Sequence, residues 1–343
     1  KRQKIGLVAP FEGRYRYVGY DVIYAVRLAI REVNAAGGVG GYGVELVAYD
    51  DGADPAMAMA QARKLAVDDD VVAALGHFRE ETTAAAAPVY GEAGIPLVAP
   101  VVRGDLANAG IVCRMGPSAE TVADAWLDYL VNHEMERAAL LTEGGPPLGP
   151  LGEALTRRAS ARGVRVAPVV ALDSIDANEE RSVLMPILDA GIDVLFCDAN
   201  PVMAGEVIAA LRAAGWTGAF VGGPDLAAGD FTAIAGTAAR GTTFVTPWPR
   251  LDEMPGGQSF VEAYRAISNG SAPGSLALPA YEATWILLEA LARDIAAHGA
   301  PSRAGVAAAL PVVKREGRLG MIAFDVDARG CRWQDAPLYW RER

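Results

Sequence analysis

Histidine is scarce in this chain, with three in 343 residues, and His77, His133 and His298 show neither the His-x-x-x-His nor the His-x-Glu spacing that holds a catalytic metal. Metal-dependent catalysis is disfavoured. No Gly-x-Ser-x-Gly elbow occurs, and no serine or cysteine has sequence neighbours that mark an activated nucleophile. Cysteine is as rare: Cys113, Cys197 and Cys331 are odd in number and far apart, which suits neither a disulfide framework nor close-spaced zinc ligands. Three isolated thiols, buried or half-buried, are expected, and they leave the redox compartment undecided.

Positive charge is in deficit. Lys and Arg total 31 against 42 Asp and Glu, a net charge of -11 that repels phosphate backbones and anionic lipid surfaces, so no nucleic-acid partner is expected. No apolar run reaches the ~18 residues that a membrane-spanning helix requires, so this chain is not expected to insert into a membrane. The opening Lys1-Arg2-Gln3-Lys4 leads into a short apolar strand rather than a signal-peptide core. A cleaved or lipidated leader would not be part of this sequence, so location must be argued on other grounds.

Two segments imitate cofactor or metal loops. Gly37-Gly38-Val39-Gly40-Gly41-Tyr42-Gly43 follows a helical pattern and precedes a strand, the reverse of the order in which a phosphate loop opens a helix. Asp50, Asp51 and Asp54 lack the later glycine and glutamate of a calcium loop and suit turn and capping roles. No cofactor is expected.

What is present is apolar and ordered in alternation. Hydrophobic residues make up 52% of the chain, enough for two ordinary cores, since single cores stop growing near roughly 250 to 300 residues. Short apolar runs at 5–9, 44–49, 71–75, 95–99, 138–142, 164–171, 192–197, 219–222 and 243–246 read as buried strands. Helical periodicity fills most of the gaps between them. In 20–36 the apolar positions Val22, Val26, Ala29, Ile30 and Val33 share one face, and Gly37-Gly38 ends the helix. Asp54-Pro55 opens a second helix over 56–67, and a long one is expected over 276–298. Strand and helix in alternation mean parallel sheets covered on both faces.

The chain breaks twice. Gly116-Pro117 with the capping Ser118 marks one crossover, and Thr246-Pro247-Trp248-Pro249 marks a second.

The order of these pieces resembles the Leu/Ile/Val-type periplasmic solute-binding proteins. The resemblance is carried by Ile5-Gly6-Leu7-Val8-Ala9-Pro10, Val18-Gly19, the helix from Ala25 to Gly38, the strand Val-Glu-Leu-Val-Ala-Tyr-Asp-Asp at 44–51, Ala-Leu-Gly-His at 74–77, Gly-Ile-Pro-Leu-Val-Ala-Pro at 94–100, Gly-Gly-Pro-Asp at 222–225 and Tyr281-Glu282-Ala283. It implies an α/β fold of two doubly wound parallel-sheet lobes joined by a three-segment hinge, with 1–118 and 249–326 in one lobe and 119–248 and 327–343 in the other. Ligand would be held between lobes at the carboxyl ends of the strands, captured by hinge closure and passed to a membrane ABC permease from the periplasm or another extracytoplasmic space.

The resemblance also places a candidate ligand site. Where relatives carry a serine for the ligand's carboxylate this chain has Glu80, beside Arg79, and a carboxylate there would repel another. The loop after Pro100 reads Val101, Val102, Arg103 in place of a small residue and a threonine, and Arg103 is suited either to grip a ligand carboxylate with two parallel hydrogen bonds or to pair with Glu80 or solvent. Asp225 corresponds to the acidic residue that receives an ammonium group, and Gly-Pro-Asp equally suits a turn or helix cap. Leu148, Asn200 and Leu276 stand where relatives often have tyrosines, and Ala53 and Arg79 replace a cysteine pair of some relatives. Tyr15 and Tyr17, in the loop after the first strand, and Trp248, beside the second crossover, complete the candidates. Such a site predicts a small organic ligand: an amino acid, a carboxylic acid or an amide, and not simply leucine, isoleucine or valine. A sensing module of the same fold, and more distantly an enzyme on a doubly wound scaffold, are the competing readings.

Overall fold

The computed structural model describes all residues except 105, 107–109, 144–147, 173–179 and 329. The chain forms two compact units, Lys1–Gly116 with Trp248–Ala336, and Pro117–Pro247 with Pro337–Arg343. It passes from one to the other three times.

The first unit opens with β1 (Arg2–Ala9), α1 (Arg16–Ala35), β2 (Gly43–Asp50), α2 (Pro55–Ala66), β3 (Val71–Gly76), α3 (Glu80–Glu92), β4 (Leu97–Ala99) and β5 (Val112–Arg114). The local chemistry follows sequence expectation. Asp54 accepts the Met57 N–H at 2.7 Å with Pro55 at the first helical position, so α2 starts there. The apolar stripe of α1 is buried from Val18 to Val33. Its first turn begins at Arg16, four residues before the periodicity suggests, because the chain enters the helix through a 3-10 turn at Gly13–Tyr15.

The second unit comprises α4 (Ala119–Asn132), β6 (Ala138–Glu143), α5 (Pro150–Ala161), β7 (Val166–Leu172), α6 (Glu180–Asp189), β8 (Val194–Asp198), α7 (Pro201–Ala213), β9 (Ala219–Gly222), α8 (Gly229–Ala235) and β10 (Thr243–Thr246). The chain then returns to the first unit for α9 (Gly257–Ile267), α10 (Ala277–His298), α11 (Arg303–Ala309), β11 (Lys314–Gly317), β12 (Gly320–Asp327) and β13 (Gly330–Trp333). It ends in the second unit with β14 (Tyr339–Glu342).

The sheets are ordered β11-β12-β13-β5-β4-β3-β1-β2 and β14-β10-β9-β8-β6-β7. Six consecutive strands are parallel in the first sheet, β13 to β2, and five in the second, β10 to β7, and the β1–β5 and β6–β10 sets both follow the doubly wound order 2-1-3-4-5. Apolar clusters cover both faces. In the first unit α1 and α10 pack on one face and α2 and α3 on the other; in the second, α4 and α5 face one side and α7 and α8 the opposite one.

Two expectations are corrected here. Residues 327–336, assigned by resemblance to the second lobe, belong to the first unit, because β13 pairs in parallel with β5 and extends that sheet. The same pairing sets Cys331 opposite Cys113, and the two form a disulfide with Cα atoms 4.5 Å apart. Their 218-residue separation hid a pair that sheet register brings together. Cys197 remains a free, buried thiol.

Candidate functional site

A doubly wound sheet opens a crevice at the carboxyl ends of the two strands whose following helices leave for opposite faces. In the first unit these strands are β1 and β3, since α1 and α3 lie on opposite faces. In the second they are β6 and β8, followed by α5 and α7. The carboxyl edge of each sheet is where chemistry-bearing side chains collect.

In the first unit β1 and β3 approach very closely. Gly76 has φ +123°, and a Cβ there would lie 2.2 Å from the Val8 carbonyl oxygen, so glycine is required. Just beyond, the Arg79 guanidinium lies 4.1 Å from the centroid of the buried Tyr15 ring and bonds Glu81 at 2.8 Å. Glu80, the first residue of α3, turns its carboxylate onto the loop after β4: it accepts the N–H of Arg103 at 2.6 Å and of Gly104 at 3.1 Å. From the other side, the buried Arg114 of β5 donates to the carbonyls of the same two residues at 2.8 and 2.5 Å.

Of the remaining candidates in this unit, Val102 is buried in the cluster beneath α2 and α3, and Val101 packs against the α1 side. Tyr17 lies half-buried in the first turn of α1. Trp248 is buried and stacks on Trp333 at 6.2 Å. Leu276 stands at the start of α10, its N–H held by Asp21 at 2.7 Å. The structure brings Tyr15, Arg79, Glu80 and Arg103 into one cluster of successive loops.

In the second unit Asn200 caps α7, accepting the N–H groups of Val202 and Met203, while its amide donates to Glu143 at 3.1 Å. This buried asparagine thus ties the end of β6 to the end of β8. Asp225 follows β9 in a half-buried 3-10 turn, and Leu148 precedes α5. The Cys197 thiol is pushed well above its ordinary value, first by burial and then by the carboxylates of Asp198, Asp225 and Glu143. Those three carboxylates therefore lie near one another around the Cys197 thiol.

Sequence reasoning missed Glu143, Arg114 and a buried network behind the first unit's edge. There His77 Nδ1 lies 2.6 Å from Asp51, and its Nε2 lies 3.1 Å from the Tyr90 hydroxyl, all three buried. Burial and then the Asp51 charge raise the Tyr90 phenol. Thr83 donates to the carbonyls of His77 and Arg79, fixing the turn that presents Arg79 and Glu80. The available signal was a charged residue ending an apolar strand run, as in Glu143 and Arg114. Among the described residues no cluster of three or more His, Cys, Asp or Glu side chains could hold a metal, and no helix is long and apolar enough to cross a membrane.

A family model described as "Periplasmic binding protein" matches residues 2–337. The Leucine-, isoleucine-, valine-, threonine-, and alanine-binding protein of Pseudomonas aeruginosa is 26% identical over 335 residues, covering 94% of this chain and 85% of that protein. The crystal structure of a leucine-binding protein from Thermotoga maritima superposes with a TM-score of 0.85 at 21% identity, covering 99% of this chain and 95% of the other. An ABC-transporter solute-binding protein from R. palustris, solved in complex with benzoate, superposes with a TM-score of 0.82 at 20% identity, covering 100% of this chain and 93% of the other.

Proposed function

Because the chain belongs to the periplasmic binding protein family, we propose that it captures a small organic molecule and delivers it unaltered to a membrane ABC permease. The observation that carries this reading is the family match over residues 2–337, which includes segments of both units. The cross-strand disulfide supports an extracytoplasmic setting, since disulfides persist in oxidising compartments.

The relatives' ligands include branched-chain amino acids and, in one solved structure, benzoate, so an amino acid, a carboxylic acid or an amide is the class to test. The carboxylates of Glu143, Asp198 and Asp225 gathered near Cys197 support testing ligands that present an ammonium or amide N–H.

The experiment is a thermal-shift screen over amino acids, aromatic acids and amides, followed by calorimetry on wild type, Arg103→Ala and Asp225→Ala. A ligand that binds only the native state raises the melting temperature. At least one variant is expected to weaken binding about tenfold or more, the loss of one charge-assisted contact. Unchanged binding by both variants, or tight binding of leucine by wild type, would contradict this placement of the site.

A further inference from the structure

The loop after β4 offers two backbone N–H groups, those of Arg103 and Gly104, at the carboxyl edge of the first unit's sheet. Such paired donors at a sheet's carboxyl edge form an anion cradle. The cradle is already filled: the Glu80 carboxylate accepts both, at 2.6 and 3.1 Å, from the first turn of a 13-residue helix whose amino end also favours negative charge. Arg114, buried under the loop, fixes the carbonyls of the same two residues, so the loop is held from both sides in the shape that fits a carboxylate.

We propose that Glu80 is a built-in carboxylate standing where a ligand's own carboxylate would sit, and that it sets specificity: the ligand end that meets the first unit is uncharged or cationic, an amide or amine rather than a free acid. This rests on the capture reading above. The selection follows from exchange. An incoming acid would have to displace Glu80, trading one carboxylate for another with no gain in hydrogen bonds, and would leave the displaced charge beside it. A neutral ligand bears no such cost. Sequence comparison alone cast Glu80 as a ligand contact that repels carboxylates; the geometry makes it an occupant of their place.

The test removes the internal carboxylate and supplies one from outside. Glu80→Ala and Glu80→Ser are both made, the second because serine is well tolerated at a helix start. Each is melted in sodium acetate and in sodium chloride at equal ionic strength near pH 7. Acetate at ~100 mM is expected to raise the melting temperature of whichever variant folds by about 2–4 °C over chloride, and to leave wild type unmoved. Matched pairs, leucine with leucinamide and benzoate with benzamide, are then titrated calorimetrically. In wild type no acid binds more tightly than its amide; in the variants the acid gains at least about tenfold on its amide, one recovered charge-assisted interaction. Equal melting in acetate and chloride overturns the cradle. A wild type that prefers the acid, or variants in which no acid gains, overturns the selection. If acetate rescues the variants but wild type binds neither member of any pair nor any compound of the wider screen, the capture reading fails and the cradle stands.

Discussion

Asp21 on α1 shows how one buried carboxylate can hold a distant loop. It accepts the N–H groups of Gly274 at 2.6 Å and Leu276 at 2.7 Å, and so fixes the start of α10. Burial raises its carboxyl from 3.8 to about 6, against the opposing pull of those N–H donors and the Tyr264 hydroxyl. A raised native value means the proton is held more tightly folded than unfolded. The stabilisation it gives is therefore complete below about pH 4 and is lost as pH rises through about 6. Denaturant unfolding of wild type and Asp21→Asn across pH 4 to 7 is expected to show wild type losing on the order of 2 kcal/mol relative to the variant over that window. Parallel curves would contradict the assignment. The same residue-level physics governs Asn200, whose side chain is engaged by the cap of α7 and by Glu143. A ligand reaching this asparagine has to compete with those bonds.

Among the elements, the consequential pair is β5 and β13. Their cysteines are 218 residues apart in sequence, yet the strands lie side by side, register Cys113 with Cys331, and precede two of the three passages between units. The disulfide restricts the unfolded chain, and removing it as Cys113→Ala with Cys331→Ala is expected to cost about 2–4 kcal/mol. Scanning calorimetry should show the first unit's transition moving down in the double variant, and down equally in wild type treated with a reductant; an unmoved transition would contradict a stabilising role. How much was legible follows from the same elements. The nine apolar runs from 5–9 to 243–246 all lie on strands, within a few residues, because buried parallel strands carry a dense hydrophobic signal. β11 is Lys-Arg-Glu-Gly and the strands after it are short or half-exposed, so no apolar run announced them. With β13 unseen, neither the disulfide nor the place of 327–336 was legible. In the candidate site, order along the chain located Tyr15, Arg79, Glu80 and Arg103 near one another. The direction of Glu80's carboxylate depends on the backbone of a loop 23 residues away, which no pattern records.

At the scale of the molecule, two units repeat one strand order, and each gathers its polar groups where that order opens a crevice. The buried His77 is engaged by Asp51 and Tyr90, and burial holds the Cys197 thiol protonated. Capture without chemistry is the central claim, and native mass spectrometry of the protein mixed with a pooled excess of amino acids, aromatic acids and amides tests it most directly. The account predicts one adduct per chain, equal in mass to a single member of the pool, with every pool member recovered unchanged. A protein that takes up none of them, or a pool member converted in excess over protein, would contradict it.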